Sequence, residues 1–130
     1  AVNLSGEVIV DDFAIISGLT AVHQFVHIGA HVMISGGSLV RKDVPPYIKA
    51  GRDPLSYVGL NSIGLRRRGF DNEKINEIQE IYRIYFLAGV NNTQAHEYLE
   101  ANMHATDERD EIMQFIKNSK RGIIRGYFPE

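Results

Sequence analysis

Three histidines in a short stretch are the side chains best suited to chemistry in this sequence. His23, His27 and His31 follow one another at intervals of four residues. On a helix this spacing would place them on one face, where imidazole nitrogens can bind zinc. The surrounding residues instead predict a six-residue repeat, in which the three histidines take three different positions. Two interpretations stay open: a zinc site shared between neighbouring chains, and surface histidines with ordinary hydrogen bonds.

A run of three arginines at residues 66–68, followed by Gly69 and Phe70, is the second group with chemical potential. A cluster of positive charges attracts acidic partners. The alternative is a solvated basic turn at a helix end. Residues 61–130 hold ten of the 14 Lys and Arg residues, but they also hold eleven of the 16 acidic residues. Charge alone therefore does not identify a partner.

The elements that must position the histidines come from a repeat with a period of six. An aliphatic residue occupies every sixth position from Leu4 to Val40, and a small or β-branched residue follows each one four positions later, from Val8 to Val44. This period predicts a parallel β-helix. Three hexads form one triangular coil, and inward aliphatic side chains stack on those of the next coil. The seven hexads therefore supply a little over two coils.

The repeat ends at Pro45 and Pro46, which remove two backbone donors and suit the end of a coil. The glycines and proline of residues 47–60 predict an irregular crossing segment. We expect two parts, with residues 1–50 forming the C-terminal coils of the β-helix and residues 51–130 forming a linker plus a helical C-terminal domain.

Apolar residues at 3–4 spacing predict three longer helices in the second part. Their expected boundaries are a cap at Asp71 or Asn72 and an end at Gly89 for the first, a start at Thr93 for the second, and a start at Thr106 or Asp107 for the third.

Composition narrows the class of protein. The net charge of −2 gives no reason to expect binding to nucleic acid, and the absence of cysteine excludes disulfides. No apolar run approaches the roughly 18 residues needed to span a bilayer, so we expect a cytoplasmic protein.

The start of the sequence bears on its completeness. The six-residue pattern is already present at Leu4, and the first residue is Ala rather than Met. We therefore expect a C-terminal piece of a longer protein, with earlier coils upstream of residue 1.

The stretch VDDFAIISGLTAVHQFVHIGAHVMISGGSLVRKDVPPY, with GLNSIGLRRRGF further on, resembles the acyl-carrier-protein–UDP-N-acetylglucosamine O-acyltransferases. Its most specific motifs are TAVHQF at residues 20–25 and RRGF at residues 67–70. The implied fold is mainly β with an α appendage, a left-handed parallel β-helix followed by a small helical domain. Three alternatives remain: the related UDP-3-O-acylglucosamine N-acyltransferase, which usually lacks the RRGF extension, a trimeric hexapeptide-repeat metalloenzyme of the carbonic-anhydrase type, and a non-catalytic scaffold.

The resemblance implies a homotrimer without cofactor or metal, with active sites in clefts between adjacent β-helices. In this family a histidine general base deprotonates the 3-hydroxyl of UDP-N-acetylglucosamine, which attacks the thioester of a 3-hydroxyacyl carrier protein. This is the first step of lipid A synthesis. The base is expected upstream of residue 1, so we expect no catalytic residue in this chain and no activity from the 130 residues alone.

The resemblance also assigns the substrate-binding residues. His23 and Gln24 match positions that line the substrate cleft of the family. Asn61, Arg67 and Arg68 match the segment that reaches the UDP moiety, where guanidinium groups suit a diphosphate.

Three further positions bear on specificity. Gly36 matches the position where side-chain size limits the acyl chain, and glycine leaves room for a longer chain. Glu7 stands where many members have histidine, although its carboxylate could still bind sugar hydroxyls. Ile63 stands where some members have an acidic residue near the nucleotide, so a contact there is not carried over.

Overall fold

The hexads form the predicted coils in the computed structural model, which describes residues 2–4 and 6–126. Two-residue strands recur every six residues as β1 (Asn3–Leu4), β2 (Ile9–Val10), β3 (Ile15–Ile16), β4 (Ala21–Val22), β5 (His27–Ile28), β6 (Met33–Ile34) and β7 (Leu39–Val40). Strands β1 to β4 each pair in parallel with the strand three hexads later, so that Asn3 lies opposite Ala21 and Ala21 opposite Leu39. This offset of 18 residues confirms three hexads per coil.

The coils have three faces and three corners. Strands β1, β4 and β7 form the first face, β2 and β5 the second, and β3 and β6 part of the third. The residue that turns each corner has a positive φ, which recurs every six residues. The first corner carries Glu7 and Phe25, the second carries Phe13 and His31, and the third carries Leu19 and Gly37. These three corners fix where the candidate site residues lie.

The interior of the coils is an aliphatic ladder, as the repeat predicts. The fully buried aliphatic side chains of the repeat are those of Val22, Val26, Ile28, Val32, Ile34, Val40 and Val44. Burying each such side chain contributes about 1.5–3 kcal/mol before chain entropy is counted. Leu4 and Val10, at the same positions of the first coil, are exposed. The ladder is therefore complete only from the second coil onward.

The prediction for residues 47–60 is wrong, because they form a β-hairpin rather than an irregular crossing. Strand β8 (Ile48–Gly51) pairs in parallel with β6, and β9 (Ser56–Leu60) pairs antiparallel with β8. Ile48 and Ala50 are fully buried and continue the third face. Burial of these side chains outweighs the turn-forming residues nearby. The predicted division at residue 50 falls within β8, and the two-part organisation stays a prediction.

Within the described residues, four helices follow the hairpin and a last strand returns to it. They are α1 (Ser62–Arg67), α2 (Asn72–Phe86), α3 (Asn92–Asn102) and α4 (Asp107–Asn118), and the strand is β10 (Arg125–Gly126), parallel to β9. In the described ranges no helix combines the length and apolarity needed to cross a membrane. Residues 127–130 of the predicted second part lie outside the described residues.

The helix boundaries follow local capping chemistry. Asp71 and Thr106 cap α2 and α4 as predicted, each accepting a hydrogen bond from the backbone three residues on. Helix α3 starts earlier than predicted, because Asn91 forms a reciprocal capping box with Gln94. Helix α2 ends before Gly89, which turns the chain beyond it with a φ of +71°.

Tyr82 fixes α2 against the end of the coils. Its hydroxyl donates a 2.6 Å hydrogen bond to the carbonyl of Pro46, and its side chain is fully buried. The helices thereby rest on the last coil and hold α1 beside it.

Candidate functional site

Asn61 places the start of α1 on the second corner of the coils. Its Oδ1 accepts the backbone N–H of Gly64 at 3.4 Å as the N-cap of α1. Its Nδ2 donates to the carbonyl of His31 at 3.0 Å. Since the side chain is 4% exposed, its polar groups face the protein. In the structure Asn61 anchors α1, and its contact with a nucleotide stays a prediction.

Arg68 is held against the same corner. Its Nε donates a 2.8 Å hydrogen bond to Nδ1 of His31, and its guanidinium carbon lies 5.3 Å from the centre of the Phe13 ring. A cation over an aromatic face is attracted by the negative charge of the ring face. The Nη2 atom is buried and has no acceptor within the part of the chain that the structure describes. Arg68 is thus a fixed cation rather than a mobile one.

His31 lies within a cluster of aromatic rings. Its imidazole stacks on Phe13 at 5.0 Å and on Tyr47 at 5.5 Å between ring centres, and Phe70 meets it edge-on at 5.2 Å. Burial lowers the pKa of His31, the charge of Arg68 lowers it further, and Asp12 opposes the shift. The imidazole is therefore neutral at neutral pH and can accept the Arg68 hydrogen bond.

Arg67 differs from Arg68 although the two are adjacent. Arg67 is exposed on the last turn of α1, and so is its neighbour Arg66, which donates to Oδ1 of Asn72 at 3.3 Å. Ile63 is also exposed, at 66%. Of the two arginines predicted to bind the nucleotide, Arg67 faces solvent and Arg68 is packed.

One chain does not gather the predicted site residues at one place. Glu7, His23 and Gln24 are exposed at the first corner, whereas Gly36 adjoins the third. Arg68 lies against the second corner. Residues a few positions apart diverge in this way because each hexad turns the chain to the next face. A site that uses all of them needs more than one copy of the coils.

Gly36 is packed closely against the coil before it. A Cβ added there would lie 3.1 Å from the carbonyl oxygen of Gly18, tighter than ordinary contact. The backbones of the two coils thus approach each other at the third corner, where only a small residue fits without a shift. Its predicted role in the acyl pocket stays a prediction.

A cleft of about 530 Å³ opens beside the first corner, between the second face and the end of α4. Phe25, His27 and Phe115 line it, together with Lys120 and Arg121. The His27 ring lies 4.5 Å from that of Phe115. Aromatic side chains beside two cations suit an anionic partner with an apolar part.

Two aspartates hold His27, and the sequence analysis missed them. Asp11 Oδ2 lies 2.7 Å from Nε2 of His27, and Asp43 Oδ1 accepts its backbone N–H at 2.8 Å. The sequence did carry a signal for this contact, because Asp11 and Asp43 each lie 16 residues from His27, which is close to the length of a coil. Among the described residues no group of three or more metal-binding side chains converges.

Comparison with known proteins links the whole arrangement to one family. Residues 43–124 match the family described as Udp N-acetylglucosamine O-acyltransferase; Domain 2. The acyl-[acyl-carrier-protein]–UDP-N-acetylglucosamine O-acyltransferase of Myxococcus xanthus (strain DK1622) is 45% identical over 118 residues, which are 91% of this chain and 46% of that protein. The enzyme of the same name from Thiobacillus denitrificans (strain ATCC 25259 / T1) is 41% identical, covering 95% of this chain and 48% of the relative.

Solved structures support the same family assignment. A UDP-N-acetylglucosamine acyltransferase from Bacteroides fragilis 9343 superposes with a TM-score of 0.89 at 52% identity, covering 92% of this chain and 47% of that one. The Arabidopsis UDP-N-acetylglucosamine acyltransferase gives a TM-score of 0.83 at 31% identity, with 91% and 44% covered. These likenesses confirm the predicted left-handed parallel β-helix with a helical region. The chain spans about half the length of the curated relatives it matches.

Proposed function

Because the chain belongs to the UDP-N-acetylglucosamine O-acyltransferase family, we propose that the complete protein transfers a 3-hydroxyacyl chain from acyl carrier protein to the 3-hydroxyl of UDP-N-acetylglucosamine. This reaction is the first step of lipid A synthesis. The observation that carries the proposal is the 45% identity over 91% of this chain to an enzyme of that name.

The chemistry is an acyl transfer from sulfur to oxygen. The sugar 3-hydroxyl loses its proton to a histidine general base and attacks the thioester carbonyl, after which the carrier thiol leaves. We place that base upstream of residue 1. Within this chain we assign Glu7, His23 and Gln24 to the sugar. We assign Asn61, Arg67 and Arg68 to the UDP moiety, and Gly36 to the acyl chain.

We further propose a homotrimer with the site between adjacent coils. The predicted site residues lie at three different corners of one chain, so neighbouring subunits are needed to bring them together. The corner side chains Phe13, Leu19 and Phe25 are 61%, 78% and 56% exposed, so each of the three corners presents apolar surface to water. Packing against a second and third copy would remove that apolar surface from water.

We propose acyl carrier protein as the partner, in line with the name of the relatives, and the cytoplasm as the location. Lys120 and Arg121, which line the cleft beside the first corner, are placed to attract an acidic carrier protein.

Binding of UDP-N-acetylglucosamine to the full-length protein, measured by calorimetry, tests the proposal. Charge-assisted hydrogen bonds contribute about 1.5–3 kcal/mol, so Arg67→Ala should weaken binding about tenfold or more. Arg66→Ala removes the same charge from the same exposed turn and should change affinity less than about threefold, an expectation based on its contact with Asn72. Equal effects of the two substitutions would contradict the role of Arg67. No binding of the nucleotide sugar by the unmodified protein would reject the proposed function itself.

A further inference from the structure

The hydrogen bond between Arg68 and His31 depends on the protonation state of His31. Arginine carries only donors, so the 2.8 Å contact from Nε needs a lone pair on Nδ1 of the imidazole. The protonated imidazole has hydrogens on both nitrogens and carries a positive charge. Protonation would therefore replace an attractive contact by two cations facing each other.

Two further contacts confine the Arg68 guanidinium. The Phe13 ring covers it on one side, with 5.3 Å from the ring centre to the guanidinium carbon. On another side the backbone of Gly64 comes close, since a Cβ added there would lie 2.6 Å from Nη2 and the guanidinium would have to shift. The buried Nη2 finds no acceptor among the described residues. An arginine held at this energetic cost calls for an explanation beyond packing.

We propose that His31 is a positioning residue for the nucleotide site. Its neutral imidazole fixes the Arg68 guanidinium beside α1, where it contributes positive charge to the binding of the UDP diphosphate. Protonation of His31 releases Arg68, so that affinity for UDP-N-acetylglucosamine falls as the pH falls. This inference rests on the proposed function, because it takes the ligand of α1 to be the nucleotide sugar.

The charged groups that face His31 support a neutral imidazole. Burial, and after it the charge of Arg68, lower the pKa of His31 below its ordinary value, and Asp12 acts in the opposite direction. Tyr47, stacked on the other face, donates its hydroxyl hydrogen to Glu111. Burial and Glu111 raise the pKa of Tyr47, so it stays protonated and adds no charge near His31. His31 is thus the group of this cluster that gains a charge as the solution is acidified.

The chain itself suggests a pair of matched substitutions. His31 has a φ of +61°, and the equivalent corner positions Phe13 and Phe25 have φ values of +62° and +68°. His31→Phe is therefore compatible with the corner and keeps the ring stack, but it removes the acceptor. His31→Asn suits a positive φ and keeps an acceptor close to the position of Nδ1, but it cannot be protonated.

The experiment measures the affinity of the full-length protein for UDP-N-acetylglucosamine between pH 8 and pH 5.5. The diphosphate of this ligand does not titrate in that range. The unmodified protein should lose at least about threefold in affinity on acidification. His31→Phe should bind about tenfold more weakly at pH 8 and show a flatter pH profile. His31→Asn should bind like the unmodified protein at pH 8 and share the flatter profile.

The possible failures are distinguishable. If the unmodified protein and His31→Asn lose affinity equally on acidification, His31 is not the switch and this inference alone is overturned. If His31→Phe binds as tightly as the unmodified protein at pH 8, its positioning role is overturned in the same way. If the unmodified protein does not bind UDP-N-acetylglucosamine at any pH, both the proposed function and the inference fail.

Discussion

The carboxylate of Asp43 accepts a 2.6 Å hydrogen bond from the hydroxyl of Ser119, although 76 residues separate them in the chain. The other oxygen of Asp43 accepts the backbone N–H of His27. The backbone of Asp43 also pairs with the last segment, through Gly122 and Ile124. Asp43 therefore ties the final coil to the end of the helical region.

We expect Asp43→Ala to lower the free energy of unfolding by about 1–3 kcal/mol, because it leaves the His27 N–H and the Ser119 hydroxyl without their acceptor. Urea unfolding followed by circular dichroism measures the change. Glu97→Ala, at an exposed helix position, is the control and should change stability by less than about 0.5 kcal/mol. Equal stability of the two variants would contradict the tie at Asp43.

Stability should depend on the protonation of two partly buried histidines, His31 and His96. Burial is the main cause that lowers the pKa of His31 and of His96 in the folded protein. Below about pH 6.5, the ordinary histidine pKa, the unfolded chain takes up protons that the folded protein does not yet bind. The two neutral histidines therefore make their full contribution to the free energy of unfolding above that pH. This contribution is lost as the pH falls toward their lowered pKa values in the folded protein.

Urea unfolding at pH 8, 7, 6 and 5 measures this loss. His31→Asn should reduce the fall in stability below pH 6.5. His104→Gln, at an exposed position, should leave the shape of the profile of stability against pH unchanged. A profile for His31→Asn that runs parallel to that of the unmodified protein would show that His31 does not contribute.

Leu19 tests the proposed trimer. Its side chain is 78% exposed at the third corner, with a φ of +61°. Leu19→Asp places a charge there, and aspartate tolerates that backbone conformation, so the substitution tests apolar contact rather than strain. We expect sedimentation of the full-length variant to show dissociation at concentrations where the unmodified protein has three times the monomer mass. Leu87→Asp, at an apolar position 51% exposed beyond α2, should leave the mass unchanged.

Lys120 and Arg121 test carrier-protein binding. Replacing both by glutamate should raise the KM for acyl carrier protein about tenfold or more at low salt and leave the affinity for UDP-N-acetylglucosamine unchanged. The difference from the unmodified protein should shrink as salt is added, since salt screens the attraction. Lys49→Glu, on the third face, is the control for the single change Lys120→Glu. An equal change in KM for both variants would indicate an effect of the net charge of the protein rather than of this cleft.

The period of six was enough to predict the coils, because each inward position at residues 22, 28, 34 and 40 stacks on a neighbour 18 residues away. It could not predict the hairpin, in which Ile48 and Ala50 join the third face after the repeat has ended. The capping residues of α2 and α4 were predicted correctly from the local sequence. The prediction for α3 missed Asn91, whose capping box with Gln94 sets the start of that helix.

The candidate site was less accessible to prediction. The roles of His23, Arg67 and the other assigned residues came from the resemblance, not from spacing. The contact between Arg68 and His31 joins residues 37 positions apart on different elements. Only the packing of α1 on the second corner brings them together, so no local pattern in the sequence signals the pair.

Acyl transfer by the full-length protein tests the central claim most directly. The protein is incubated with 3-hydroxyacyl carrier protein and UDP-N-acetylglucosamine, and the product is analysed by mass spectrometry with mild alkaline hydrolysis to distinguish an ester from an amide. We predict an acylated nucleotide sugar that carries an alkali-labile ester at the 3-hydroxyl. Transfer only to the amine of a 3-O-acylated UDP-glucosamine, or no transfer to either acceptor, would contradict it.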